Sequence, residues 1–126
     1  MTWFAASALV AMRTKEPSKG GPIEVYENVI LVEADNPELA EQIARIEALK
    51  AEVEDDTFTI DGKPGYFSFV GIRKILRISN PTDMKYADQD PPVTGAEISY
   101  SLFEVKSEDE LAKLARGESV TLTYLE

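Results

Sequence analysis

The chain has 126 residues, with 23 acidic side chains against 13 basic ones and a formal net charge of −10. It contains neither cysteine nor histidine, which closes off disulfides, zinc–thiolate and iron–sulfur sites, thiol nucleophiles and the Ser-His-Asp arrangement. The acidic balance argues against nucleic acid, whose phosphates need a basic surface, and the length fits one domain, residues 1–126.

Trp3 to Met12 carries apolar residues on both alternating faces, which predicts a strand covered on each side. The run is too short to span a bilayer, which takes about 20 residues. No Lys or Arg precedes it, so a secretory leader is not expected and the reading is cytoplasmic, without membrane association. Glu16 to Pro22 is rich in turn formers and breaks regular structure. Ile23 to Ala34 is a second strand, with Tyr26, Ile30, Val32 and Ala34 assigned to the core face. Its other face holds Val25, Glu27, Val29, Leu31 and Glu33.

A helix is expected from Pro37 to about Val53. Asn36 is a favoured N-cap and Pro37 suits the first helical position. Glu38 and Glu41 stand near the start, where the helix dipole favours anions. Leu39, Ile43, Ile46, Leu49 and Val53 recur at helical spacing, and this stripe is expected to lie on the sheet. Glu41 and Arg45 then form an exposed pair four residues apart.

Thr57 to Ile60 leads through Asp61-Gly62 into a return strand, Tyr66 to Ile78, a hairpin signal. Alternation sets Phe67, Phe69 and Ile75 opposite Val70, Ile72, Leu76 and Ile78. Gly71 in mid-strand predicts a bulge or a close backbone approach. Asn80 to Gly95 reads as an irregular loop of a length that is often functional. Ala96 to Val105 resumes as a strand, and Ser107 with Glu110 forms a capping box that opens a short helix. Gly117 supplies its left-handed stop, and Val120 to Leu125 closes the chain as a strand. The order β-β-α-β-β-β-α-β predicts an α+β fold: a mostly antiparallel sheet of about five to six strands. One long amphipathic helix and one short C-terminal helix are expected on one face of it. Residues 107–126 then form a helix–strand extension.

Trp3-Phe4-Ala5-Ala6-Ser7, Glu27 to Ala34, the helix start with Glu38 and Ala40, and Phe69-Val70-Gly71-Ile72 form a diffuse pattern. In these stretches the chain resembles a family of small bacterial proteins, domain-of-unknown-function family 4288. Gly95 to Phe103 looks like that family's closing strand. The longer Asn80–Gly95 loop and the tail from Ser107 depart from the family's pattern. The resemblance implies a fold and no activity, so no functional residue carries over.

Candidate sites are few. Glu27 and Glu33 share a strand face, but six residues along a strand separate them by about 20 Å, too far to act on one bond. Each is expected to pair with a neighbouring strand's Arg or Lys or to face water, and Arg73 and Arg77, on one face of their own strand, are the partners that would suit. Asp83, Asp88 and Asp90 lack the dense ligand spacing and glycine of a calcium loop. Neither Gly20-Gly21 nor Gly62 with Gly65 has the spacing of a phosphate loop. No metal, cofactor or catalytic residue is therefore assigned.

Strands apolar on both faces need more cover than two helices supply, which points to a partner subunit, most simply a two-fold homodimer. The first functional reading is a non-catalytic protein-interaction domain that acts as a homodimer and takes a further partner with a basic surface. The second is a small-molecule binder or carboxylate-dependent enzyme with a pocket near the 80–95 loop. Its candidate ligand-binding residues are Glu27, Tyr86 and Asp88.

Overall fold

The computed structural model describes residues 2–14, 21–50, 54–60, 62–78 and 93–126. The strands are β1 (Thr2–Thr14), β2 (Ile23–Ala34), β3 (Glu54–Ile60), β4 (Lys63–Arg77), β5 (Glu97–Val105) and β6 (Leu122–Tyr124). Two helices, α1 (Pro37–Leu49) and α2 (Glu108–Ala115), complete the elements. The strands form one sheet in the order β3-β4-β1-β2-β5-β6, and every neighbouring pair is antiparallel. The expected α+β class, an antiparallel sheet with two helices, is what the chain adopts.

β1 lies inside the sheet, between β2 and β4, and is buried at Phe4 and from Ala6 to Ala11. Directly opposed residues of an antiparallel pair share a face, so the register sorts the side chains. Phe4↔Val32, Ala6↔Ile30 and Val10↔Tyr26 lie on one face, and α1 packs there with Ala40, Ala44 and Ala48. Leu9↔Glu27 and Ala11↔Val25 lie on the other. There α2 brings Leu111 and Leu114 against Leu9, Val25, Phe103 and Val105. The helices therefore sit on opposite faces, which corrects the expectation of one shared face. The physical reason is the two-sided apolar character of β1 and β2, which requires burial on both sides. Residues 107–126 are not an appendage, since α2 and Leu122 supply part of the second core.

α1 begins as expected. The Asn36 side chain accepts a hydrogen bond from the Leu39 amide at 2.8 Å, and Pro37 occupies the first turn. It ends at Leu49 rather than Val53, and it faces the sheet differently. Ala40, Ala44 and Ala48 are buried, while Leu39, Ile46 and Leu49 are 37%, 59% and 50% exposed; of the expected stripe, Ile43 packs partly against the core and Val53 lies outside the described residues. Alanines four apart let the helix backbone approach the sheet closely, where Phe4, Ile30 and Val32 already fill the space. The larger side chains have no room beneath the helix and turn outward.

β4 departs from simple alternation. Its pairing with β1 shifts between Ser7 and Ala8 and again between Leu9 and Val10, which leaves Arg73 and Val70 as extra residues. Phe69, Ile72 and Ile75 consequently share the α1 face, although strict alternation sets Ile72 opposite Phe69 and Ile75. Gly71 lies between the bulges, where a Cβ would stand 3.5 Å from that of Ala115 in α2. Close approach and bulge, both read from Gly71, occur together. The hairpin between β3 and β4 pairs Ile60 with Lys63, and Gly62 adopts φ 79° in the connection.

Candidate functional site

Of the ligand-binding candidates, Glu27 lies within the described residues, whereas Tyr86, Asp88 and most of the 80–95 loop lie outside them. Glu27 projects from β2 onto the α2 face, opposite Leu9. The bulge at Arg73 turns that guanidinium onto the same face, and the two side chains meet across β1. Arg73 Nη2 donates to Glu27 Oε1 at 2.6 Å and Nε donates to Oε2 at 3.0 Å. This is a two-pronged, charge-assisted pair whose side chains are 28% and 16% exposed. The bond to Glu27 raises the Arg73 pKa above its ordinary value, against the opposing pull of desolvation.

Both carboxylate oxygens of Glu27 are thus engaged by a permanent cation. A carboxylate held this way offers a ligand little free lone-pair capacity. Glu33 is kept apart: its amide donates to Thr94 Oγ1 at 3.2 Å, and Glu27 and Glu33 do not converge. Of the two cations expected as partners, the structure brings Arg73 to Glu27.

Among the described residues, no group of three or more carboxylates converges on a point that could hold a metal ion. An open groove of about 280 Å³ lies between the first turn of α1 and Ile72–Ile75 of β4. Pro37, Glu38 and Glu41 line one wall and residues 72–75 of β4 the other, while the Arg73 guanidinium itself is turned to the opposite face, onto Glu27.

The larger feature is apolar. On the α1 face, Tyr26 stands at the centre of an aromatic row, 6.1 Å from the Phe67 ring and 6.0 Å from the Tyr100 ring. The Arg45 guanidinium lies 6.0 Å from the Phe69 ring centroid, linking α1 to the sheet beside that row. The Tyr100 hydroxyl donates to Glu126 at 3.0 Å, and this bond raises the phenol's pKa. Above the sheet rise Leu39, Ile46 and Leu49 of α1. Sequence reasoning named these three residues but assigned them to the interior. The overlooked signal was Ala40, Ala44 and Ala48, a second stripe of small residues at a spacing of four. No described helix is long and apolar enough to cross a membrane. No protein-family model matches the chain, and neither does any curated protein or solved structure.

Proposed function

We propose that this chain is a non-catalytic protein-interaction domain that acts as a homodimer. The observation that carries the reading is the outward turn of Leu39, Ile46 and Leu49. Large apolar residues gathered on one exposed helix face mark an interaction surface. The engagement of Glu27 by Arg73 adds to it, because it occupies the best-placed carboxylate of the alternative reading. In solution the mass should be twice the 14.0 kDa of one chain. Light scattering behind a sizing column measures this directly, and a single-chain mass at every concentration would refute the homodimer.

On the same footing we propose a cytoplasmic location and kinship with family 4288. The residues that carry the resemblance lie in β1, β2, α1 and β4, which together form the α1-side core. A net charge of −10 favours a further partner with a basic surface, through long-range steering.

A further inference from the structure

We infer that two copies of this chain associate through the outer face of α1, the two helices running antiparallel about a two-fold axis. The inference rests on the homodimer reading above and names its surface.

The outward residues Leu39, Gln42, Ile46 and Leu49 are spaced by three, four and three, the seam pattern by which two helices interlock. A two-fold axis across the middle of the seam sets Leu39 against Leu49 of the second copy and Ile46 against its Gln42. Charge then fixes the direction. The N-terminal half of α1 carries Glu38 and Glu41, and the C-terminal half and cap carry Arg45 and Lys50 against the single Glu47. In the antiparallel arrangement Glu38 of one copy lies level with Lys50 of the other across the end of the seam, twice per dimer. A parallel arrangement would set Glu38 against Glu38 and Lys50 against Lys50. The helix dipoles also favour the antiparallel pairing, since each N-terminus meets a C-terminus. Lys50 has its side chain 65% exposed while bonded to Glu47 at 3.0 Å, which leaves further ammonium donors for the second copy.

The size of the surface sets the strength. A 13-residue helix is about 20 Å long, and its seam falls below the roughly 800 Å² per partner of tight complexes. Dissociation in the range of about 1–100 µM is therefore expected.

Sedimentation equilibrium of the full chain from about 1 to 500 µM tests this, spanning that range. The wild type should pass from one chain to two. Ile46→Glu should weaken association at least about 100-fold; its circular dichroism and melting should match those of the monomeric wild type, because the residue is exposed. Glu38→Lys and Lys50→Glu should each weaken association, and the double variant Glu38→Lys/Lys50→Glu should recover most of the loss. A dimer indifferent to Ile46→Glu would overturn the α1 interface while leaving the homodimer standing. Failure of the double variant to recover would overturn the antiparallel pairing. A wild type monomeric at about 500 µM would remove both inference and homodimer. If Ile46→Glu fails to fold, the charge variants, which alter only the helix surface, decide alone.

Discussion

Arg73 reaches Glu27 because one extra residue in β4 turns its side chain onto the α2 face. The fork it forms is partly shielded from water, so removing the carboxylate's charge should register as stability. Glu27→Gln is expected to lower stability by about 1–2 kcal/mol and the melting temperature by about 3–8 °C, read by thermal denaturation, with the mass in solution unchanged. Loss of binding without loss of stability would reverse the assignment and make Glu27 functional. A second residue offers a pH signature. The Tyr100 hydroxyl donates to Glu126, so its pKa is raised from the ordinary 10.0. A raised folded-state value means that the bond stabilises the fold fully below about pH 10 and that this contribution fades as pH rises through the higher value. Phenolate absorbance should show one tyrosine ionising late, absent in Tyr100→Phe and shifted back toward 10.0 in Glu126→Gln.

For the elements, α1 gives the sharpest prediction because its buried and exposed stripes exchange the roles that size suggests. Ala44→Leu should force the helix away from Phe4 and Ile30 and destabilise by about 1–3 kcal/mol. Ile46→Ser should change monomer stability by no more than about 0.5 kcal/mol. Denaturant unfolding of both variants, at concentrations where the chain is monomeric, checks the pair; the opposite order would return the large residues to the interior. Local chemistry is legible in the sequence wherever a residue answers to its immediate neighbours. Asn36 and Ser107 cap their helices, the latter accepting from the Glu110 amide at 3.2 Å, and Gly117 closes α2 at φ 81°. What the sequence does not carry is the space opposite. The alanines face the sheet because Phe4, Ile30 and Val32 fill the gap, residues distant in the chain. The face of Ile72 likewise depends on a bulge, and no local signal separates Arg73 from its neighbours as the extra residue. Glu27 could be matched with Arg73 or Arg77 by alternation, but the bulge chooses between them.

For the whole molecule, the sheet order makes stability uneven in a way that amide exchange can read. β1 has strands on both sides and a helix beneath each face, so its hydrogen bonds open only when both cores open. β6 pairs β5 over only Leu122–Tyr124, at one edge of the sheet. The opposite edge, β3, meets β4 in register at Glu54↔Tyr66 and then, after an irregularity, at Thr59↔Pro64 and Ile60↔Lys63. Amides of Phe4 to Ala11 should therefore exchange slowest, at the rate set by global unfolding. Those of β6 should exchange fastest among the strands, with β2 and β4 between. The two cores share β1 but use different helices, so α2 can loosen with Leu111 and Leu114 while α1 stays docked. Glu27→Gln tests this: removing the Arg73 fork on the α2 face should speed exchange in α2 and β5 more than in α1. Equal acceleration in both helices would show that the two faces open as one unit and that β1 transmits every disturbance across the sheet.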